Sequence, residues 1–336
     1  MRARLFLVLC LALLCLGTLA RADVFDLETV TVADPGNVGE LSGTGAGGVG
    51  PNRICGAVSY TYRIAKYEIT AGQYCDFLNH KAKSDPNGLY NTAMWGSQGC
   101  KIQRSGSSPN YSYSVASDWA NRPVNYVSYW DACRFANWLH NGQGDTETGA
   151  YTLNNYKSTD GRTIQRNPGA LWYLPNEDEW YKAAYYKGGG MNAGYWDYPM
   201  QSNLPTVPSN DLIDPDLGNN ANFTQSGGQT IGSPYYRTVA GEFENSESAY
   251  GTFDQGGNVF EWVETLVHDA DRGMRGGSWN WTDGQLRASQ RNDATPTVEN
   301  PDYGFRVAMV PEPSGVLGPA GGLVSLLAIR RRRARA

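Results

Sequence analysis

GTFDQGGNVFEWVE, Gly251 to Glu264, is the stretch on which the reading of the fold turns. Its second half, NVFEWVE, has the short, β-branched and aromatic composition of a buried strand. Before it comes a double glycine, and two carboxylates, Asp254 and Glu261, flank that turn. Calcium takes about six to eight oxygens from carboxylates, amides and main-chain carbonyls, and a turn of this kind can bring several of them together. The alternative is an ion pair between Glu261 and an arginine, with Arg275 and Arg306 as the candidates. Spacing alone leaves the two open.

Downstream lies GMRGGSWNWTDGQLRASQRND, Gly273 to Asp293. It has the glycines and tryptophans of a site wall, yet it holds no cysteine, no histidine and only two carboxylates. Trp279 and Trp281 are two residues apart, so on one strand they would face the same side. The segment YGFRVAMV reads as another short strand. Upstream, AVSYTYRIAKYEIT alternates, placing Val58, Tyr60, Tyr62 and Ile64 on one face of a half-buried strand. Thr70 and Gln73 form a capping box ahead of a short helix with Tyr74, Phe77 and Leu78 inward. A second helix opens at Ser128 with Asp131 three residues on. It buries Ala132, Phe135, Ala136 and Leu139 and stops near Gly142. A third opens at Asn176, where Glu177, Asp178 and Glu179 suit the positive end of the helix dipole. From 191 to 310 helical signals fade, and glycines and aromatics suggest long ordered loops pinned by rings.

The ends read differently from the body. Arg2 and Arg4 precede an apolar run to Leu19, and Ala20-Arg21-Ala22 supplies small residues, so 1–22 reads as a signal peptide with Asp23 as the mature start. Residues 311–336 carry Pro-Glu-Pro, an apolar stretch from Gly315 to Ile329 and an arginine tail, an order that resembles the PEP-CTERM sorting signal of exported bacterial proteins. Such a segment holds the chain at a membrane until it is cut, its arginines staying on the cytoplasmic side. Eight of the 28 basic residues lie in these two ends, which leaves a strongly acidic body and argues against nucleic-acid binding. Cys55, Cys75, Cys100 and Cys133 remain in the body. In an exported protein an even number favours two disulfides, with three pairings open. Residues 23–54 read as a strand followed by a glycine-rich loop. Gly43, Gly45 and Gly48 fit GxGxxG, but Pro51 and Asn52 follow where a dinucleotide site needs a helix. His80, His140 and His268 are isolated and read as surface residues.

Six segments then occur in a telling order: YRIAKYEITAGQYCDFLN, RPVNYVSYWDACRFANWL, YLPNEDEWYKAAYY, GTFDQGGNVFEWVE, RGGSWN and YGFRVA. The order resembles the sulfatase-modifying-factor family, whose formylglycine-generating enzyme has a variant of the C-type lectin fold. The resemblance implies one α+β domain over 55–310 with little regular secondary structure. The family enzyme oxidises a substrate cysteine with copper held by two cysteines shortly after the Gly-Gly-Ser-aromatic turn. In this chain Trp281 stands at the first of those positions, the second falls near Leu286, and no cysteine follows Cys133. Copper(I) needs soft thiolate ligands, so copper is not expected. The resemblance also implies two calcium sites. One draws on Asp254, the carbonyls of Gly257 and Val259, and Glu261; the other starts with the side chain of Asn222 and the carbonyl of Phe223. The family's iron-dependent sulfoxide synthases use a histidine-bearing helical domain, for which this sequence gives no signal.

The expectation is therefore an exported, non-catalytic, calcium-stabilised module with no catalytic residues assigned. It would act at the cell envelope or outside the cell, in binding or surface structure, on a surface protein, peptide or glycan. The alternatives are an oxidase of altered chemistry in the same cleft and a lectin-like glycan receptor.

Overall fold

The computed structural model describes residues 27–191 and 193–310; the readings of 1–22 and 311–336 lie outside the described residues. Two four-stranded sheets and three principal helices frame long stretches of irregular chain. The elements used below are β1 (Thr29–Val32), β2 (Tyr62–Ala65), α1 (Ala71–Lys81), α2 (Tyr129–His140), β3 (Trp172–Tyr173) and α3 (Glu177–Tyr185). They continue with β4 (Phe260–Leu266), β5 (Arg272–Arg275), β6 (Asn292–Ala294), β7 (Tyr303–Gly304) and β8 (Ala308–Met309). The first sheet runs β1-β2-β8-β3, antiparallel throughout, with Val30 and Ala308 both opposite Ile64. The second runs β6-β5-β4-β7, with β4 antiparallel to β5 and parallel to β7. The chain's last described strand thus returns beside its first ones.

Capping chemistry sets the start of all three helices. The side chains of Thr70, Ser128 and Asn176 each accept the backbone N–H three residues on, and Gln73, Asp131 and Glu179 reach back to the cap N–H. These reciprocal bonds satisfy donors that a helix start otherwise strands. The expected inward faces are buried, with Tyr74, Phe77 and Leu78 on α1 and Ala132, Phe135, Ala136 and Leu139 on α2. Phe135 joins the helices to the chain's end, 5.2 Å from the Phe77 ring and 5.3 Å from Phe305, both edge-on. Edge-to-face contacts of this kind add to the stabilisation from burying the rings.

Three expectations need correction. The strand expected from Val58 begins only at Tyr62, because Gly56 (φ 89°) turns the chain; Val58 is buried from a loop and Tyr60 is 39% exposed. All four cysteines are free and buried, so the expected disulfides are not formed. Cys75, Cys100 and Cys133 act as small apolar fillers of the main core, and Cys55 lies in a separate cluster beside Trp180 and Tyr181. The reading of the acidic start of α3 is incomplete: its carboxylates stand in the first turn, as the dipole favours, but Glu177 is 1% exposed and accepts hydrogen bonds from Arg53, Arg275 and Arg291. Within the glycine-rich segment Glu40–Ser42 pairs antiparallel with Arg53–Cys55 around a single 3-10 turn at Thr44–Ala46. A Cβ on Gly48 would stand 2.0 Å from the Ser289 carbonyl oxygen, so only glycine fits there.

Two predictions follow from the buried charges. Burial alone would raise the Glu177 carboxyl, but Arg275, Arg291 and Arg53 hold it down to about 2. Its contribution is present above the ordinary value of 4.5 and is lost as pH falls towards 2. Glu177→Gln should lower the unfolding free energy by about 3–5 kcal/mol, because buried Arg275 and Arg291 lose their paired carboxylate. Denaturant titration at neutral pH measures this, and a loss below about 1 kcal/mol would refute the hub. Glu299 behaves oppositely. Burial, then the negative charge of Asp131, pushes it up to about 8, so its stabilising form is present below 4.5 and lost as pH rises through 8. Melting temperature should therefore fall between pH 5 and pH 8, and Glu299→Gln should flatten that fall.

Candidate functional site

Strand β4 and the turn before it form the centre of the candidate site. Asp254 and Asn258 both adopt left-handed backbone (φ 58° and 52°), and Gly257 lies between them at φ 96°. The turn is pressed against the segment at Asn222, since a Cβ on Gly257 would sit 2.3 Å from the Asn222 carbonyl oxygen. Asn258 N–H donates to that same oxygen and Gly257 N–H donates to Gly276. The two loci expected separately, at Asn222 and at Gly257, are thus adjacent, bridged as parallel chain.

Glu261 is fully buried. Nε and Nη2 of Arg306 each donate to one of its oxygens at 2.6 Å, and Trp180 Nε1 donates to Oε2 at 2.7 Å. Arg275, the other candidate partner, belongs to Glu177. Arg306 also donates to the carbonyls of Ala65, Lys66 and Phe253, which ties β4, the end of β2 and the Asp254 turn to one guanidinium. The side chain of Asp254 accepts the Gly241 N–H at 2.7 Å. Burial pushes its carboxyl up to about 6, against the pull of the Gly241 N–H and Arg306.

The residues fit a calcium ion only in part. Asn222 Oδ1 is buried without a hydrogen-bond partner, as an ion ligand would be. The Phe223 carbonyl, by contrast, accepts from Asn210 and from Thr230, and Glu261 is saturated by Arg306 and Trp180. The side chain of Phe223 is core, packed with Tyr198, Met200, Ala221 and Leu286, and Val259 is likewise fully buried. Among the described residues no group of three or more histidines, cysteines or carboxylates is placed to hold a metal.

One participant was missed from the sequence. Glu68, between β2 and α1, is 1% exposed; its Oε1 accepts the Val259 N–H and its Oε2 has no partner. Burial and the nearby Asp254 and Glu261 raise its carboxyl well above the usual range. It stands in the motif YRIAKYEIT, but alternation alone does not mark it as interior.

The wall beyond β5 departs from expectation. Trp279 lies in a turn, not on a strand, and is 1% exposed against Tyr236 (centroids 4.7 Å apart), whereas Trp281 is 46% exposed. The two do not share a face, because Gly276 and Gly277, both at positive φ, end β5 before them. Trp281 is anchored by its Nε1–H to Asp302 at 3.1 Å and by an edge contact with Phe260. Leu286 is fully buried. Neither residue can supply a thiolate, so the wall does not fit copper. His80 and His268 are exposed, as expected, and His140 accepts the Leu171 N–H at 3.0 Å.

One antiparallel and one mixed sheet, few helices and a β4 centre locked by long loops define an α+β domain of the formylglycine-generating-enzyme type, a C-type-lectin-like architecture. Residues 51–310 match the Sulfatase-modifying factor enzyme 1-like domain, and the chain belongs to that family. It is similar to the solved structure of PvdO from Pseudomonas aeruginosa, at 21% identity and a TM-score of 0.51, over 86% of this chain and 96% of that one. It is also similar to CarF (21%, TM-score 0.49, 86% and 100% covered) and to Treponema denticola variable protein 1 (19%, 0.47, 84% and 95%). At 21% identity the likeness to PvdO shows the fold alone. No curated protein matches the chain.

The unequal tryptophans give a direct check. Trp279→Ala should cost about 3–5 kcal/mol, as for a fully buried ring, and Trp281→Ala markedly less. Equal shifts in denaturation midpoint would contradict the turn geometry.

Proposed function

We propose that the chain is an exported, non-catalytic member of its family that acts by binding a surface partner or by building the cell surface. One observation carries this reading. Both positions at which the resemblance places copper thiolates are filled by side chains without metal-binding chemistry, and Leu286 is sealed into a cluster with Tyr198 and Phe223. The signal-peptide pattern of 1–22 and the sorting-signal pattern of 311–336 support export. Purified protein should neither bind copper(I) at the wall nor convert a cysteine peptide to formylglycine. Detectable oxidation by the unmodified chain would overturn the proposal.

A calcium ion beside Asp254 is a second reading of how the module is stabilised. The observation for it is an imbalance: buried Glu68 and Glu261 and half-buried Asp254 surround Arg306, whose guanidinium bonds only Glu261 among them. Asn222 Oδ1 and Asp254 are the donors best suited to the ion, whose role would be structural. If calcium is held, melting temperature rises in calcium relative to chelator by mass action, and Asp254→Asn removes the difference. Identical melting in both leaves Arg306 as the counter-charge.

A further inference from the structure

Two tryptophans stand out on the surface, Trp95 at 51% exposure and Trp281 at 46%. They end a row of rings drawn from four separate segments of chain. Lys101 Nζ lies 5.9 Å from the Trp95 ring centroid and 5.5 Å from that of Trp119. Trp119 packs on Tyr235, with centroids 4.9 Å apart, and the next residue, Tyr236, packs on Trp279 at 4.7 Å. Trp119 and Trp279 are buried, whereas Tyr235 and Tyr236 are half-buried, so the row is rooted in the core and carries an exposed indole at each end. The two ends are also pinned to each other from below. Asn125 Nδ2 and Arg237 Nη1, both on fully buried residues, each donate to the carbonyls of Gln98 and Pro301. Gln98 follows Trp95 by three residues, and Pro301 adjoins Asp302, the acceptor of the Trp281 indole N–H.

Exposed apolar side chains are ordinary when they are loose and scattered. These two rings are neither. Trp281 is fixed by its bond to Asp302 and by the edge contact with Phe260, and Trp95 by Lys101, whose ammonium donates to the Gly96 carbonyl at 2.7 Å. A ring already held in one pose loses little freedom when a ligand stacks on it. The charges along the row are taken up by the row itself. The Arg122 guanidinium lies 3.9 Å from the Tyr235 ring centroid and donates to the carbonyls of Asp118 and Arg237, while the Asp118 carboxylate accepts the Tyr235 hydroxyl. The residues that flank the rings are neutral: Ser97, Gln98, Asn121, Ser233, Asn280 and Thr282, all exposed except the half-buried Gln98. Amides and hydroxyls both donate and accept, as sugar hydroxyls do, whereas an ammonium only donates and a carboxylate only accepts. The negative faces of the indoles suit the C–H face of a sugar ring, and the acidic body repels polyanions.

We propose that the row from Trp95 to Trp281 is a binding surface for a neutral oligosaccharide. Its sugar rings stack on the two exposed indoles, and its hydroxyls pair with the amides and hydroxyls beside them. The proposal deepens the binding-module reading by naming the ligand class, and it rests on that reading. It is nonetheless measured by binding alone. If no sugar binds, the absence of oxidase activity still stands, and oxidase activity would not by itself remove the sugar site.

The test is isothermal titration of the purified chain with neutral hexasaccharides of glucose, xylose, mannose and N-acetylglucosamine, and with two polyanions, polygalacturonate and dextran sulfate. At least one neutral sugar should bind, and more tightly than either polyanion. Trp95→Ala and Trp281→Ala, their folding checked by melting, should each weaken that binding about tenfold. Should Trp95→Ala fail to fold, Gln98→Ala tests the same end of the row. Trp281→Phe, which keeps a ring, should retain more affinity than Trp281→Ala. Leu217→Ala, at a side chain 80% exposed outside the row, should leave binding unchanged. No binding by any of the neutral sugars, tighter binding of a polyanion, undiminished binding in both tryptophan variants, or an equal loss in Leu217→Ala overturns the proposal.

Discussion

The structure depends on the grip of Glu177 on three arginines that are far apart in sequence. Arg53 comes from the N-terminal segment, Arg275 from the end of β5 and Arg291 from the segment leading into β6. Glu177 itself sits in the first turn of α3, where the helix dipole also favours its charge. One carboxylate thus fixes a helix, a sheet and the N-terminal segment at a common point. The arrangement is well satisfied: Arg275 further donates to the carbonyls of Ala288 and Gln290 and to Ser42 Oγ, and Arg53 pairs with Asp178 as well. A buried ion pair repays its desolvation only when its remaining donors find acceptors, and here they do.

The same device recurs in a chain with few regular elements. Arg166 bridges Glu179 and Glu264, joining α3 to β4, and Arg306 joins Glu261 to three loop carbonyls. Long loops leave many backbone carbonyls without a helix or sheet partner, and such groups are costly when buried. An arginine offers five donors in a plane, enough to bind one carboxylate and several carbonyls at once. Buried arginines therefore do here what hydrogen-bonded ladders do in more regular folds.

How much of this was legible follows from range. The Thr70–Gln73 capping box, the helix starts at Ser128 and Asn176 and the inward faces of α1 and α2 depend on residues a few positions apart, and local pattern showed them. The fold class came through the ordered motifs. What stayed hidden was long-range pairing. Glu177 read only as a helix-dipole charge because its partners lie 98 and 114 residues ahead and 124 behind it. Trp279 and Trp281 read as one strand face because pattern alone could not place the end of β5 at Gly276. The cysteines read as disulfides because their number was even, whereas all four are free and buried, three in the main core and Cys55 in a second cluster. At the candidate site, the ion-pair alternative for Glu261 was visible from spacing, but spacing could not show that Arg275 pairs with Glu177 and leaves Arg306 to Glu261.

That competition also explains why the motifs announce a fold so clearly and an activity so poorly. Glu261 and Arg306 in the FEW and GFR segments hold each other; Gly257 and Gly276 hydrogen-bond directly, each at a positive φ that permits the close approach. Trp180, in the helical motif, closes over Glu261 through its indole N–H. Each recognisable residue is occupied by another recognisable residue, so the motifs together encode the frame around β4. The chemistry of the family enzyme needs something further, a pair of thiolates on the wall beside that frame, and the frame makes no physical demand for them. On that wall this chain has Trp281, tied to Asp302, and Leu286, buried in a cluster with Tyr198 and Phe223, and neither takes part in the Glu261–Arg306 or Gly257–Gly276 contacts that hold the frame.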